Sequence, residues 1–174
     1  MIDLQYVGEQ NLNIDSIDVF IFDFDGVLTN NLVHVDGNGL ESVSCNRGDG
    51  LGFDLLRKIK KSVYILSTEK NGVVSARANK LKVPVIQGVS NKSEVLKKMS
   101  IEYKFSLDRA MYIGNDLNDY YAIKICKYSA CPADSHKKIK KISTFVLNAN
   151  GGEGVLRELL EEKLKVNLLD ILYR

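Results

Sequence analysis

Two carboxylates stand two positions apart, directly after an apolar run, in the sequence Asp23-Phe24-Asp25-Gly26. The run, residues 17–22, is typical of a buried parallel strand, which places Asp23 and Asp25 at the carboxyl end of that strand. Ligands of open α/β sheets bind at this edge. Gly26 lets the chain turn sharply, so that both acids can face one small volume. One acid can then attack an electrophile while the other transfers protons.

Carboxylates at such close range repel each other, and a hard cation such as Mg²⁺, which prefers oxygen ligands, would offset their charge. A calcium-binding loop is disfavoured, because position 12 counted from Asp23 is His34 rather than the bidentate Glu that such a loop needs. From this motif alone, a strand-end turn with solvated acids stays open as the alternative.

Residues suited to phosphate chemistry follow later apolar runs. Ser67 comes directly after residues 63–66, Lys92 begins a helical pattern, and residues 114–119, after the run 111–113, read Gly-Asn-Asp-Leu-Asn-Asp. Each has an ordinary alternative: a helix cap, a solvated lysine or an Asx-rich turn. Turn chemistry explains each residue singly better than it explains their order behind successive strands. This order predicts that the residues form one phosphate site.

Apolar runs and amphipathic segments alternate along the whole chain, as in repeated βαβ units with a parallel sheet. One stretch, residues 31–44, breaks this alternation with period-two patterns on both sides of Asp-Gly-Asn-Gly. It predicts a β-hairpin flap over the active edge. Strands are predicted at residues 19–22, 63–66, 83–86, 111–113 and 145–147, and helices are predicted to begin near Gly50, Gly72, Lys92, Asn118, Ser135 and Gly154.

Composition predicts an ordinary soluble globular protein with one domain over residues 1–174. The chain has 45% hydrophobic and 26% charged residues and a net charge of +2, too little to indicate a nucleic acid or an anionic membrane as partner. Its 3 cysteines form no CxxC pair, which argues against a disulfide framework or a zinc site. The start of the chain, residues 1–6, lacks a targeting pattern, and no segment is apolar enough to span a bilayer, so we expect a cytoplasmic protein.

The chain resembles the haloacid dehalogenase superfamily of phosphatases, whose four motifs match Asp23-x-Asp25, Ser67, Lys92 and residues 114–119. The resemblance covers about residues 17–160 and leaves residues 161–174 as a C-terminal tail. It implies a three-layer Rossmann-like α/β fold with helices on both faces of the sheet. It also implies that Asp23 attacks phosphorus to form an aspartyl-phosphate, and that Asp25 protonates the leaving alcohol and then activates water.

The same resemblance implies an Mg²⁺ site. Its ligands would be Asp23, the backbone carbonyl of Asp25 and a third residue, Asn115, with Asp116 as the rival and Asp119 in a supporting role. Relatives often carry Asp where Asn115 stands. An amide oxygen can still bind Mg²⁺, although it brings no charge.

The segments between the motifs are too short for a cap domain, so the active site should be open in the monomer. The chain resembles the capless branch that acts on phosphorylated 3-deoxy-2-keto sugar acids. The resemblance implies a homotetramer with the hairpins in a central barrel and a neighbouring subunit that completes each site. It also implies a glycine-rich tail, residues 150–158, that reaches toward an adjoining site. The substrate-binding residues it implies are Asn46, Arg47, Gly48, Asp49, Gly50, Thr68, Glu69, Arg77 and Lys80.

Glu69 narrows the substrate within this branch. Relatives that act on the eight-carbon 3-deoxy-manno-octulosonate 8-phosphate typically have Arg at the position of Glu69, and a reversed charge must alter which sugar acid binds. Glu69, Arg77 and Lys80 together resemble the trio found in phosphatases of nine-carbon acids, which act on ketodeoxynonulosonate or N-acylneuraminate 9-phosphate. The eight-carbon acid is the alternative, and no residue evidently reads the C5 substituent. A surface salt-bridge face is the structural alternative for the trio.

Two other classes of function are compatible with the sequence. Similar domains are fused to the cytidylyltransferases that activate sialic acids, so the chain is alternatively a non-catalytic partner module, although its intact motif residues argue against this. Phosphate transfer to a second sugar would need a lid that the sequence does not contain.

Overall fold

The computed structural model describes residues 12–174, which form one six-stranded sheet and a separate two-stranded hairpin. The strands are β1 (Val19–Phe22), β2 (Thr29–Val35), β3 (Glu41–Cys45), β4 (Ser62–Leu66), β5 (Val85–Ile86), β6 (Ala110–Ile113), β7 (Tyr128–Cys131) and β8 (Phe145–Val146). The large sheet has the order β5-β4-β1-β6-β7-β8, and its pairs are parallel. The predicted Rossmann-like α/β fold is confirmed.

Helices cover both faces of this sheet, so the fold has three layers. Along β1, Phe20 and Phe22 contribute to one hydrophobic cluster, whereas Val19 and Ile21 contribute to the other. This follows from the alternation of side chains along a strand. The helices are α1 (Gly48–Lys58), α2 (Gly72–Leu81), α3 (Lys92–Glu102), α4 (Tyr120–Ile125), α5 (Lys137–Ile142), α6 (Val155–Glu158) and α7 (Leu168–Tyr173). Helices α1, α2, α6 and α7 pack on the first cluster, and α3, α4 and α5 on the second.

The predicted hairpin is confirmed as β2 and β3, which pair antiparallel outside the large sheet. Its turn is fixed by Asp36, whose Oδ1 accepts hydrogen bonds from the N–H groups of Asn38 (2.8 Å) and Leu40 (2.9 Å). Gly39 adopts φ of +79°, a conformation that glycine tolerates best. Several apolar side chains of the hairpin stay exposed: Leu32, Val33, Val35 and Leu40.

The pattern-based assignment missed β7 and displaced some boundaries. Tyr128–Cys131 contains polar and small residues, and it is a strand because β6 and β8 pair with it on either side. Only Val85–Ile86 of the predicted strand 83–86 pairs, since Pro84 has no N–H to donate. Near Asn118 the chain first forms the 3₁₀ turn Leu117–Asp119, before α4 begins at Tyr120.

The C-terminal tail packs against the body. Leu164, Val166 and Leu168 are buried in the first cluster, after the π-helical turn Leu159–Lys163.

No helix within residues 12–174 is both long and apolar enough to cross a membrane. The single-domain assignment over residues 1–174 stays a prediction, and the expectation for residues 1–6 lies outside the described range.

Asp49 joins α1 to α6. The side chain is buried, and its Oδ1 accepts hydrogen bonds from the N–H groups of Leu156 (3.0 Å) and Arg157 (3.4 Å). Its Oδ2 is buried and has no hydrogen-bond partner within residues 12–174. The sequence predicted Asp49 to bind substrate. The structure instead turns this carboxylate inward, where it satisfies backbone groups at the start of α6.

Burial raises the pKa of Asp49 to about 6, although the two backbone N–H groups oppose the shift. Between pH of about 4 and 6 the folded protein therefore holds a proton that the unfolded chain has lost. The stability from this proton is fully present below the unfolded pKa and is lost as the pH rises to about 6.

Replacing Asp49→Asn keeps an oxygen for both N–H groups and removes the titration. We expect the free energy of unfolding of the variant, relative to the parent, to rise by about 2 kcal/mol between pH 4 and pH 7. Urea titrations at several pH values measure this, and the other titrating groups cancel in the difference. A difference that does not change with pH would contradict the prediction.

Candidate active site

The loop after β1 extends the sheet by one residue and then turns. The Asp23 N–H donates to the Ile113 carbonyl at the end of β6, as the next rung of the parallel ladder. Gly26 follows with φ of +76°. A Cβ at this position would overlap the amide group of Asn115. The loops after β1 and β6 can approach each other this closely only because residue 26 is glycine.

These two loops lie at the point where the strand order reverses. β4 and β5 lie on one side of β1, and β6, β7 and β8 lie on the other. Loops that leave such neighbouring strands diverge and open a crevice at the carboxyl edge of the sheet. Asp23 and Asp25 from one loop and Asn115 and Asp116 from the other line that crevice.

Asp23 belongs to a buried cluster of two carboxylates and one ammonium group. The Lys92 Nζ lies 2.7 Å from Asp23 Oδ1 and 2.8 Å from Asp119 Oδ1. Asp23, Lys92 and Asp119 are 4%, 2% and 0% exposed. Asp23 Oδ1 also accepts a hydrogen bond from the Phe24 N–H (2.7 Å). Within residues 12–174, Oδ2 is thus the Asp23 oxygen without a hydrogen-bond partner.

The cluster carries more negative than positive charge. Burial acts to lower the pKa of Lys92, but Asp23 and Asp119 together raise it, so the ammonium group stays charged. Burial and the Asp119 carboxylate raise the pKa of Asp23 well above its usual range, against the effect of Lys92. A cation bound beside Asp23 would offset this excess and keep the carboxylate ionised.

Asp119 orients both the lysine and the loop. Its Oδ1 accepts hydrogen bonds from Lys92 Nζ (2.8 Å) and from the Tyr112 hydroxyl (2.8 Å). Its Oδ2 accepts from the N–H groups of Asn115 (2.9 Å) and Asp116 (3.3 Å). The supporting position predicted for Asp119 agrees with these contacts. Sequence reasoning missed Tyr112, because an aromatic residue in a buried strand looks like core packing.

Asp25 lies at the mouth of the crevice and is half-buried. The Thr29 hydroxyl donates to Asp25 Oδ1 (3.5 Å) and accepts a hydrogen bond from the Gly26 N–H (3.2 Å). Burial, followed by the nearby Glu69 carboxylate, raises the pKa of Asp25. A raised pKa suits a group that must hold a proton before donating it.

Asn115 and Asp116, the two candidates for a third metal ligand, differ in their surroundings. Asn115 is buried against Gly26, whereas Asp116 is exposed and its Oδ1 accepts a hydrogen bond from the Leu117 N–H (2.7 Å). Within residues 12–174, no group of three His, Cys, Asp or Glu side chains is arranged to hold a metal. A hard cation would need neutral oxygens beside the carboxylates, and the Asp25 carbonyl and Asn115 amide supply that type of donor.

Ser67 and Thr68 follow β4 on the other side of β1. Ser67 is buried, and its hydroxyl accepts a hydrogen bond from the Glu69 N–H (3.1 Å). Thr68 and Glu69 are exposed and line the crevice with Asp25. The Ser67 hydroxyl supports this turn, and its predicted role in the phosphate site stays a prediction.

The crevice widens into a cleft of about 470 Å³ under the hairpin. Leu32 and Val43 form part of its apolar wall. Glu41 of β3 accepts a hydrogen bond from Asn71 Nδ2 (2.7 Å), which joins the hairpin to the start of α2. The prediction that the hairpin projects over the active edge is confirmed. We call this cavity the catalytic cleft.

A second, smaller cleft of about 240 Å³ lies between α1 and α2. It is lined by Arg47, Gly50, Asp54, Arg77, Lys80 and Leu81. Arg77 Nη2 donates to the Asn46 carbonyl (2.8 Å), and Asn46 Oδ1 accepts from the Gly48 N–H (2.7 Å). The predicted substrate-binding residues are therefore divided within one chain, and only Thr68 and Glu69 line the catalytic cleft.

The glycine-rich segment 150–154 packs against the loop after β1 in its own chain. Gly152 N–H donates to the Val27 carbonyl (3.0 Å). Gly151 N–H donates to Asp134 Oδ1 (3.0 Å), and a Cβ on Gly151 would overlap the Gly26 carbonyl and lie 2.8 Å from the Thr29 carbonyl. In the described chain this backbone supports its own active-site loop, and the expectation that the segment reaches toward an adjoining site stays a prediction.

Comparison with known proteins assigns this arrangement to a family. The sequence model for haloacid dehalogenase-like hydrolases matches residues 55–159. The 3-deoxy-D-manno-octulosonate 8-phosphate phosphatase KdsC of Salmonella typhi is 30% identical over 152 residues, 84% of this chain and 79% of that protein. The chain belongs to the haloacid dehalogenase-like hydrolase family. It is a phosphoric monoester hydrolase of the capless sugar-acid phosphatase branch.

Solved structures agree with this assignment. A putative hydrolase of the family from Streptomyces avermitilis has a TM-score of 0.85 and 38% identity, covering 88% of each chain. The 3-deoxy-D-manno-octulosonate 8-phosphate phosphatase of Moraxella catarrhalis, solved with magnesium, phosphate and the sugar acid, has a TM-score of 0.83 and 26% identity. That likeness covers 87% of this chain and 88% of the other.

The packing of Gly151 on the active-site loop of the hydrolase is testable with one methyl group. In Gly151→Ala, the Cβ must push the Gly26 and Thr29 carbonyls aside. We expect the free energy of unfolding to fall by about 2 kcal/mol, and turnover of p-nitrophenyl phosphate to fall as Asp25 moves. Gly37→Ala is the matched control, since a Cβ there meets nothing within 4 Å. Equal stability and turnover in the two variants would contradict the assigned packing.

Proposed function

We propose that the hydrolase removes phosphate from a nine-carbon 2-keto-3-deoxy sugar acid, ketodeoxynonulosonate or N-acylneuraminate 9-phosphate, in an Mg²⁺-dependent reaction through an aspartyl-phosphate. The choice of substrate rests on Glu69. Its carboxylate lines the catalytic cleft, and within residues 12–174 it has no hydrogen-bond or ion-pair partner. A free carboxylate accepts hydrogen bonds from sugar hydroxyls, which the arginine of eight-carbon acid phosphatases cannot do.

The contacts of Asp23 support its role as nucleophile. Lys92 and the Phe24 N–H hold Oδ1, which leaves Oδ2 to form the bond to phosphorus. The bond from phosphorus to the sugar oxygen breaks, and Asp25 gives that oxygen its proton. Asp25 then takes a proton from water, whose oxygen attacks phosphorus and releases phosphate from Asp23. Burial excludes competing water from Lys92 and Asp119.

Mg²⁺ would be held by Asp23, the Asp25 carbonyl and Asn115, with the exposed Asp116 as the alternative to Asn115. When bound, the ion neutralises charge that develops on the phosphoryl oxygens. The Moraxella relative was solved with magnesium, which supports this choice. Asp119 keeps the Asn115 and Asp116 N–H groups in place, so it fixes the position of the loop.

The charge of the catalytic cleft supports completion of the site by a neighbouring subunit. Its lining residues include the carboxylates of Asp23, Asp25, Glu41, Glu69 and Asp116, and among residues 12–174 no lysine or arginine lines it. An anionic sugar acid needs cationic contacts there. We infer that Arg77 and Lys80, which line the second cleft in their own chain, serve the catalytic cleft of another copy in a homotetramer.

The exposed hairpin supports the same assembly. Leu32, Val35 and Leu40 are 63%, 61% and 69% exposed, an apolar surface suited to packing against other copies. The cytoplasmic location expected from the sequence stays a prediction.

The eight-carbon 3-deoxy-manno-octulosonate 8-phosphate is the second candidate substrate, because the Salmonella and Moraxella relatives bear that name. A non-catalytic partner module has no such support, since the chain is a phosphoric monoester hydrolase. Phosphate release from ketodeoxynonulosonate 9-phosphate, N-acetylneuraminate 9-phosphate and the eight-carbon substrate, each with Mg²⁺ and with chelator, tests the proposal. Higher kcat/KM for the eight-carbon acid would replace it with the second candidate.

Asp23→Asn tests the mechanism separately from the substrate. The amide has almost the same volume but cannot form the aspartyl-phosphate, so we expect phosphate release to fall by at least about 10³-fold. Far-UV circular dichroism should show an unchanged fold. A variant with most of its turnover would exclude Asp23 as the nucleophile.

Glu69→Arg tests the basis of specificity. Reversing the charge should lower kcat/KM for nine-carbon acids relative to the eight-carbon acid by about tenfold or more. Lys70→Arg is a matched control at the neighbouring exposed position. If the ratio of the two kcat/KM values stays the same, Glu69 does not determine specificity.

Mixed assemblies test the shared site. Asp23→Asn and Arg77→Ala subunits are each expected to be nearly inactive alone, whereas co-expressed subunits should recover activity where an intact Asp23 meets an intact Arg77 of another copy. Asp23→Asn with Lys92→Met is the control, because both residues belong to one buried cluster and their loss cannot be complemented by another copy. Native mass spectrometry that finds only active monomer would contradict the tetramer.

A further inference from the structure

Tyr112 places a hydroxyl group at the centre of the buried charge cluster. The residue lies in β6, is 0% exposed and is among the largest fully buried side chains. Its neighbours Met111 and Ile113 face the first hydrophobic cluster, whereas Tyr112 points to the opposite face of the sheet, toward α3 and α4. Core packing needs the ring at this position. It does not need the hydroxyl.

The hydroxyl completes the coordination of Asp119. The Tyr112 oxygen lies 2.8 Å from Asp119 Oδ1, the same oxygen that accepts from Lys92. The Asn115 and Asp116 N–H groups occupy Oδ2. Four donors thus surround one buried carboxylate, about as many as it can accept.

Because Tyr112 and Lys92 share Asp119 Oδ1, the tyrosine hydroxyl affects the position of the Lys92 ammonium group. This ammonium group divides its hydrogen bonds between Asp119 Oδ1 at 2.8 Å and Asp23 Oδ1 at 2.7 Å. Without the tyrosine hydroxyl, Asp119 Oδ1 would have Lys92 as its one donor in the described chain. The carboxylate would then draw the ammonium group toward itself and away from Asp23.

We propose that Tyr112 is a positioning residue for phosphoryl transfer: its hydroxyl shares Asp119 Oδ1 with Lys92 and so keeps the lysine charge on the nucleophile Asp23. The inference rests on the proposed roles of Asp23 and Lys92. Tyr112 acts through Asp119 and touches no reacting atom. Loss of the hydroxyl should therefore slow formation of the aspartyl-phosphate more than it changes substrate binding.

Tyr112→Phe tests this with the ring retained. With p-nitrophenyl phosphate and Mg²⁺, we expect the single-turnover rate of phosphoenzyme formation to fall about tenfold, the scale of one hydrogen bond to a charged group, while KM stays the same. The matched control is Tyr64→Phe, because Tyr64 stacks on Tyr103 and its ring contacts lie away from the charge cluster. Equal rates in both variants would overturn the proposal.

A second measurement does not depend on activity. In metal-free protein labelled with ¹⁵N-lysine, the Lys92 ammonium signal is identified by its loss in Lys92→Met. Tyr112→Phe should shift this signal and speed exchange of its protons, whereas Tyr64→Phe should not. An unchanged Lys92 signal in Tyr112→Phe would overturn the proposal, even if the variant were less stable.

A double-mutant cycle separates this inference from the proposed mechanism. If Tyr112 acts through Asp119, Tyr112→Phe should cause no further loss of rate in an Asp119→Asn background. An equal loss in both backgrounds would overturn the positioning role. Full activity of Asp23→Asn or Lys92→Met would instead overturn the proposed mechanism, whatever the Lys92 signal shows.

Discussion

The structure depends on the burial of one ammonium group between two carboxylates. Lys92 is removed from water at the start of α3, and a buried lysine is tolerated only with partners at hydrogen-bond distance. Asp23 and Asp119 supply them from the ends of β1 and of the 3₁₀ turn before α4. The cluster therefore fixes three separate elements relative to each other. The same contacts that stabilise the charge hold it against Asp23, the carboxylate proposed as nucleophile.

Negative charge dominates the surroundings of this cluster. Carboxylates line the catalytic cleft, and the cations suited to a sugar acid lie in the second cleft, between α1 and α2. The subunit alone thus offers strong attraction to a divalent cation but little to an anionic substrate. Under the proposed function, the preference for one sugar acid over another would depend on the charges at this cleft, where Glu69 is opposite in sign to the arginine of eight-carbon acid phosphatases.

Local patterns predicted the parts of the fold that local chemistry determines. The strand before Asp23 and the hairpin around Asp36 follow from apolar runs and turn residues, and both are present. β7 was missed because neighbouring strands, and not its own sequence, make Tyr128–Cys131 a strand. The sequence grouped Arg77 and Lys80 with Glu69, but it could not tell which cleft each of them lines. The hydroxyl of Tyr112 was invisible, because sequence does not distinguish a hydrogen-bonded core tyrosine from a packed one.

The contact between the glycine-rich segment and the loop after β1 joins parts of the chain that are far apart in sequence. Gly151 and Gly152 lie against Gly26 and Thr29, so the loop that carries Asp25 receives its packing partner only when nearly the whole chain is available. Such long-range contacts form late, since the intervening chain must be ordered first. During synthesis on the ribosome, Asp23 and Asp25 therefore emerge long before Gly151 and Gly152, the residues against which their loop packs.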